Sequence, residues 1–158
     1  MDARSSDDLD ARSLRLERVF DAPRELVWAV WTDPEHVVQW WGPDGFTNTN
    51  QTMDVRPGGL WRFIMHGPDG TDYKNLIQFI EVVKPERLVY AHRGEDETDD
   101  IHFHATILFA ERDGKTHLSM QMVFETAAEL RRVADEFGAR EGAHQHLARL
   151  AAYLATQR

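Results

Sequence analysis

The segment "IHFHATILFAERDGKTHLSMQMVF", Ile101–Phe124, decides the fold of this 158-residue chain. Apolar and polar residues alternate on both sides of "ERDGK", and Asp113-Gly114 is a dipeptide typical of a hairpin tip. One face of the predicted hairpin carries Phe103, Ala105, Ile107, Phe109, Leu118, Met120, Met122 and Phe124. The other face carries His102, His104, Thr106, His117, Ser119 and Gln121. We expect the apolar face to point into the core and the polar face to point into solvent.

Further strands are predicted upstream of this hairpin. Short apolar or alternating runs occupy residues 46–55, 60–66, 73–83 and 87–93, and turn sequences such as "RPGG" and "GPDG" separate them. Leu14 to Phe20 alternates in the same way and is predicted as the first strand. Because the turns are short, the strands should form an antiparallel meander of about six to seven strands.

Two short helices are expected after the first strand. "RELVWAVW" places Val27, Val30 and Trp31 on one helical stripe. Asp33 is a natural N-cap and Pro34 a natural first helical residue, so a second, shorter helix should follow at once.

A long C-terminal helix is predicted after the hairpin. Thr126 and Glu129 match a capping box, and Gly138 should kink or break the helix. The inward stripe is expected to include Leu130, Val133, Ala134, Phe137, His144, Leu147, Ala151 and Leu154. One helix against a curved antiparallel sheet defines an α+β fold and tends to leave an apolar cavity between sheet and helix.

Composition limits the partners. The net charge of −9 disfavours nucleic acid, and no apolar run is long enough for membrane insertion. The chain has no cysteine, which suits a cytoplasmic location. Residues 1–13 are polar, without the apolar region of a secretory signal, and are predicted to be a disordered tail. Residues 14–158 are predicted to form a single domain.

The inward positions of the predicted strands and helices are rich in aromatic residues and methionine, with a few polar exceptions. This composition suits a small-molecule pocket, although aromatic and methionine stripes also fill ordinary cores. The candidate ligand-binding residues are Trp41, Trp61, Phe63, Met65, Asn75, Ile77, Phe79, Tyr90, His92, Phe103, Ile107, Met120, Met122, Phe137 and His144. Weak candidates for proton transfer are His92, Tyr90 and Asn75.

No metal or cofactor is predicted. His102, His104 and His117 lie on the outward face of the hairpin and lack a closed ligand set. The acidic run from Gly94 to Asp100 lacks the spacing of a calcium loop. Ser119 also faces outward, which leaves a serine triad without a nucleophile.

"VVQWWGP", Val37 to Pro43, places two tryptophans together where the short helices give way to the sheet. Adjacent residues at a helix end diverge by about 100°. We therefore expect one of them to pack as core and the other to face the mouth of the cavity. Trp41 is favoured for the mouth because Gly42-Pro43 follows it and turns the chain into the sheet, but the assignment is left open.

Several phrases resemble a known family: "FDAPRELVWAVWTDPEHVVQWWGP", "DVRPGGLWRFIMHGPDGTDY", "VVKPERLVYAH" and "HLARLAAYLA". Over about residues 14–156 the chain resembles the START-like superfamily, in the bacterial branch related to the C-terminal domain of the activator of the ninety-kilodalton heat-shock chaperone's ATPase. The resemblance implies a helix-grip fold, with a curved sheet around the C-terminal helix and a cavity between them. Many members carry a tryptophan after the glycine that corresponds to Gly142; Ala143 here implies a roomier cavity.

Relatives in this superfamily include lipid carriers, polyketide cyclases and resistance proteins that bind a natural product. The resemblance therefore implies a START-like ligand-binding domain for a hydrophobic small molecule. A cyclase or dehydratase that uses the same cavity is the alternative. A co-chaperone role ranks last, because the chain matches only one domain of the eukaryotic activator. Whether the protein forms a homodimer is left open.

Overall fold

A computed structural model describes residues 9–94 and 101–157. Within these residues, seven strands form one antiparallel sheet in the order β1-β7-β6-β5-β4-β3-β2. The strands are β1 Ser13–Phe20, β2 Thr47–Met53, β3 Leu60–His66, β4 Asp72–Val83, β5 Arg87–Arg93, β6 Ile101–Arg112 and β7 Lys115–Phe124. The predicted meander is confirmed from β2 to β7, and β1 joins its far edge beside β7.

The N-terminal boundary differs slightly from the prediction. Residues 1–8 of the predicted tail lie outside the described residues. Leu9 to Ala11 form a helical turn, and the Ser13 hydroxyl donates to the Leu9 carbonyl at 2.5 Å. Ser13, placed in the tail by the sequence, is the first residue of β1. Residues 95–100 of the predicted acidic loop also lie outside the described residues.

The helices begin where the capping residues predict. They are α1 Arg24–Thr32, α2 Pro34–Val37, α3 Ala127–Phe137 and α4 Ala139–Thr156. The Asp33 side chain accepts the Glu35 N–H at 2.8 Å, and the Thr126 hydroxyl accepts the Glu129 N–H at 3.0 Å. These caps satisfy backbone donors that a first helical turn leaves unpaired.

The C-terminal helix is divided at Gly138, as predicted. Gly138 has φ 61° and ψ 40°, a left-handed conformation that glycine adopts without a Cβ penalty. It ends α3 and begins α4, so the two helices are separate elements rather than one continuous helix. Within the described residues, no helix combines the length and hydropathy needed to cross a membrane.

The core lies between the inward face of the sheet and the helices. Ala105 and Ile107 on β6 and Leu118 on β7 are fully buried, which confirms the predicted inward face of the hairpin. At the other end of the hairpin, Trp28 and Trp31 of α1 contact Phe109 with ring centroids 5.3 and 5.8 Å apart. The helix α1 therefore covers that end of the sheet.

Candidate functional site

A cavity of about 350 Å³ lies between strands β5–β7 and the two C-terminal helices, and we call it the sheet–helix cavity. Its apolar wall is formed by Trp41, Phe103, Met120, Met122, Phe124 and Val133. Backbone and small side chains at Gly42, Pro43, Gly138, Gly142 and Ala143 leave the space open. Its polar groups belong to Tyr90, His92, His102, Glu129, Arg132 and His146. A mostly apolar wall with a few polar groups is typical of small-molecule sites.

The structure brings six of the predicted binding residues to this cavity. They are Trp41, Tyr90, His92, Phe103, Met120 and Met122. The arrangement of the five strand residues follows from strand register: Tyr90 lies opposite Ala105, which lies opposite Met122, and His92 lies opposite Phe103. The period-two pattern therefore placed these side chains on the correct face.

Eight other predicted binding residues, all with described side chains, do not line the cavity. Trp61, Phe63, Ile77, Phe79 and Ile107 are buried core, and Met65 is half-buried against it. Trp61 and Phe63 stack with centroids 4.2 Å apart, and the edge of Trp41 covers them at 4.7 and 6.0 Å. The cavity occupies only the β5–β7 half of the sheet, because aromatic rings fill the β2–β4 half.

Two of these predicted binding residues, Asn75 and His144, belong neither to the cavity wall nor to the described core. Asn75 is half-buried and its side-chain amide donates to the Tyr73 carbonyl at 2.9 Å, away from the cavity. His144 is exposed, so its predicted inward position is corrected: the inward stripe of α4 comprises Ala143, His146, Leu147, Leu150 and Leu154. The side chain of Phe137 lies outside the described residues.

The most important residue that sequence reasoning missed is His146. Because the helix breaks at Gly138, the buried face of α4 does not continue the apolar stripe of α3. Leu150 is buried, and the residue four positions before it on the same face of α4 is His146 rather than His144. The predicted exposure of His102 is confirmed, but its place at the cavity was missed. A register shift between His92 and Arg93 in the β5–β6 pairing interrupts the alternation, and His102 lines the cavity while remaining exposed.

The tryptophan-containing loop, residues 41–46, is fixed to α4 by polar contacts. Arg149 Nη1 donates to the carbonyls of Trp41, Gly42 and Pro43 at 3.0, 3.0 and 2.8 Å, and Nη2 donates to Phe46 O at 2.9 Å. Partial burial lowers the pKa of Arg149, while Asp44 opposes that shift. One planar guanidinium thus satisfies four carbonyls of the loop.

Gly42 allows the loop to approach the sheet. Its φ is 95°, and a Cβ at this position would lie 2.7 Å from the Met65 Cε. A side chain would therefore be strained by the backbone conformation, and the end of the Met65 side chain would have to move. Gly42 N–H donates to His146 Nδ1 at 3.0 Å, which makes the loop and α4 a continuous wall of the cavity.

His146 is enclosed by aromatic rings. The centroids of Trp41, Trp40 and Trp31 lie 4.5, 4.9 and 5.9 Å from its ring, and only 9% of its surface is exposed. Burial, with a smaller contribution from the charge on Arg149, lowers the pKa of His146 to about 3. The imidazole is therefore neutral at pH 7.

On the opposite wall, His92 stacks flat on Phe103, with centroids 4.9 Å apart and planes 4° from parallel. Among the described residues its Nδ1 is buried and has no hydrogen-bond partner. Burial, and secondarily the nearby His102, lowers the pKa of His92 to about 3. Burial raises the pKa of the Tyr90 hydroxyl above its ordinary range. His146, His92 and Tyr90 are thus uncharged at neutral pH.

Charged groups of the site lie on α3. Arg132 Nε donates to a Glu129 carboxylate oxygen at 3.3 Å, and Nη2 contacts the other oxygen. This pairing lowers the pKa of Glu129. The Glu129–Arg132 pair and exposed His102 give the cavity a polar margin beside its apolar wall.

A curved antiparallel sheet with C-terminal helices across it and a cavity between them defines a START-like, helix-grip protein. The sequence model of the family described as "Activator of Hsp90 ATPase homolog 1-like protein" matches residues 21–155, and the chain belongs to this family. A comparison with curated proteins finds no match to this chain.

Solved bacterial structures share the fold over nearly the whole chain. A protein from Arthrobacter aurescens is 29% identical, with a TM-score of 0.85 and coverage of 94% of this chain and 89% of its own. A protein from Mycobacterium smegmatis is 29% identical, with a TM-score of 0.85 and coverage of 96% of both chains. The AHSA1 protein from Silicibacter pomeroyi is 26% identical, with a TM-score of 0.74 and coverage of 92% of this chain and 99% of its own.

Proposed function

We propose that the protein binds a hydrophobic small molecule in the sheet–helix cavity. The observation that carries this proposal is the cavity of about 350 Å³ whose wall is formed mainly by Trp41, Phe103, Met120 and Met122. Burial of apolar ligand surface against such a wall contributes roughly 25 cal/mol per Å² before the costs of association. Two methionines in the wall suit ligands of varied shape, because their side chains adapt easily.

The proposal is tested by filling the cavity from α4. Ala143 lines the cavity and is 8% exposed, so Ala143→Trp should occupy the ligand volume. Ala148 on the same helix is exposed, and Ala148→Trp is the matched control. N-phenyl-1-naphthylamine, a neutral aromatic probe that fluoresces in apolar sites, should bind the unmodified protein and Ala148→Trp.

Binding of this probe should be lost in Ala143→Trp. Circular dichroism and thermal melting establish that each variant is folded. Equal probe binding by Ala143→Trp and the unmodified protein would place the probe elsewhere and contradict the proposal.

The alternative function is a cyclase or dehydratase that uses His92 or Tyr90 for proton transfer. An efficient general acid or base has a pKa near the working pH. Burial displaces the pKa of His92 to about 3 and raises that of Tyr90, so both groups are poorly matched to proton transfer at neutral pH. Asn75 lies away from the cavity. Ligand binding is therefore the better-supported function.

A co-chaperone role remains the last-ranked proposal. The family's description refers to activation of a chaperone ATPase. An ATPase assay with the cognate bacterial chaperone tests it, and stimulation that survives in Ala143→Trp would separate that role from the cavity. The cytoplasmic location and the exclusion of nucleic-acid partners stay predictions from composition.

A further inference from the structure

His146 lines the sheet–helix cavity, and one of its two ring nitrogens has no hydrogen bond within the described part of the chain. Its Nδ1 accepts the Gly42 N–H at 3.0 Å, so the neutral ring must carry its proton on Nε2. Among the described residues, His146 makes no other hydrogen bond. Because the ring lines the cavity and Nδ1 is occupied, Nε2–H is the group that the imidazole offers to a ligand.

The surroundings of His146 favour a fixed ring and a neutral partner. Trp31, Trp40 and Trp41 enclose the imidazole, and burial keeps it uncharged. The neighbouring guanidinium of Arg149 donates to four loop carbonyls. Arg132 at the cavity is paired with Glu129. An anionic group beside His146 would therefore lose its water without gaining a direct ion pair from Arg149 or Arg132, which is costly.

The opposite wall also carries an unsatisfied polar atom. His92 Nδ1 is buried without a partner in the described part of the chain. An unpaired buried polar atom is costly, and such atoms often mark positions where a ligand or water completes the hydrogen bonding. A ligand that spans the cavity would contact the rings of His146 on one wall and His92 on the other.

We propose that the ligand is a neutral, mainly apolar molecule with an acceptor oxygen, such as a ketone carbonyl, that accepts a hydrogen bond from His146 Nε2–H. This inference rests on the proposed binding function and specifies the chemistry of the ligand. A net hydrogen bond of this kind is worth about tenfold in affinity.

A matched series of three naphthalenes tests it. 2-Acetylnaphthalene carries the acceptor, 2-ethylnaphthalene has the same shape without it, and 2-naphthoate replaces it with a charge. Quenching of tryptophan fluorescence gives each Kd. The unmodified protein should bind the ketone about tenfold more tightly than the hydrocarbon, and should bind the carboxylate least.

Variants on α4 assign the preference to His146. In His146→Phe the ketone and the hydrocarbon should bind with equal Kd values. His146→Gln retains a donor and should retain part of the ketone preference. His144→Phe, the same change at an exposed position of the same helix, should behave as the unmodified protein.

The outcomes separate this inference from the proposed function. Equal Kd values for ketone and hydrocarbon in the unmodified protein, or a ketone preference that survives in His146→Phe, would overturn the role of His146. If binding of both compounds is nevertheless lost in Ala143→Trp, the proposed function stands. Absence of binding by every compound would overturn both.

Discussion

Trp40 and Trp41 are adjacent in the chain but contact different parts of the molecule. Trp40 is 1% exposed, and its Nε1 donates to the Val30 carbonyl at 3.0 Å, which fixes it beneath α1. Trp41 lines the cavity and also packs against Trp61. The second tryptophan is thus both core and cavity wall, a combination that a simple division between core and rim does not describe.

Substitution should distinguish the two tryptophans. Trp40→Ala removes a fully buried indole and its hydrogen bond, and should lower the free energy of unfolding by about 3 kcal/mol or more. Trp41→Phe keeps an aromatic ring against Trp61 and should lower stability less, while it weakens binding of N-phenyl-1-naphthylamine. Urea denaturation and probe titration measure the two effects. Unchanged probe binding by Trp41→Phe would show that the Trp41 indole does not contact the probe.

The buried His146 should make stability depend on pH. Its folded-state pKa of about 3 lies below the ordinary value of 6.5, so on acidification the unfolded chain takes up the proton first. The stability that the neutral ring contributes is therefore lost as pH falls from about 6.5 toward 3. Between pH 7 and pH 5 this loss should be about 2 kcal/mol.

Urea denaturation at pH 7 and pH 5 measures this effect. His146→Gln has no group that titrates in this range at position 146 and should lose about 2 kcal/mol less than the unmodified protein over that interval. His144→Gln, at an exposed position, should keep the pH dependence of the unmodified protein. An equal slope for His146→Gln and the unmodified protein would mean that His146 titrates normally in the fold.

At the scale of elements, the break at Gly138 shows which features of a helix can be predicted. The glycine and the capping box at Thr126 are local signals, and both correctly bound α3. Which side chains of α4 face the sheet depends on how the chain leaves the left-handed turn at Gly138 and packs on the sheet. Sequence periodicity alone therefore selected His144 where the structure buries His146.

The contact between α4 and the loop 41–46 was not predictable, since it joins side chains to backbone carbonyls about a hundred residues away. Arg149 contributes four of these hydrogen bonds, and Gln145 accepts the Asp44 N–H at 3.0 Å. Backbone acceptors carry no sequence signature. An arginine on the inner side of a helix is equally compatible with a salt bridge or an exposed position.

Arg149→Lys tests how much this contact stabilises the fold. A lysine ammonium cannot reach Trp41 and Phe46 carbonyls with the geometry of a guanidinium fork, so unfolding free energy should fall by about 2 kcal/mol. Arg140→Lys, at an exposed position of α4, should change it little. Urea denaturation compares the two variants, and an equal effect of both would show that the carbonyl contacts contribute no net stability.

At the scale of the whole molecule, the alternation of the strands predicted the sheet and its inward face, because each strand's pattern is local. The position of the cavity depends on which inward residues the helices and the loop 41–46 cover. Trp41 fills the space above Trp61 and Phe63, while Ala143 and Gly142 leave space above Phe103 and Met122. Only the assembled fold distinguishes these two halves.

This arrangement predicts where a bound ligand protects the backbone. The cavity wall is built from the loop 41–46, α3 and the first turns of α4, whereas β2 is an edge strand on the filled half of the sheet. Saturation with 2-acetylnaphthalene should slow hydrogen exchange of amides that open locally in residues 41–46, 129–133 and 142–146. Exchange of exposed β2 amides should be unchanged, because their local opening leaves the cavity intact.

Ligand at one hundred times its Kd should also raise global stability by about 2.7 kcal/mol. Ala143→Trp supplies the control: in this variant the same compound should alter neither local exchange nor the free energy of unfolding. Protection confined to β2 and β3 would instead place the ligand on the edge of the sheet, and the sheet–helix cavity would not be its site. The pattern of protection therefore tests the location of binding independently of its affinity.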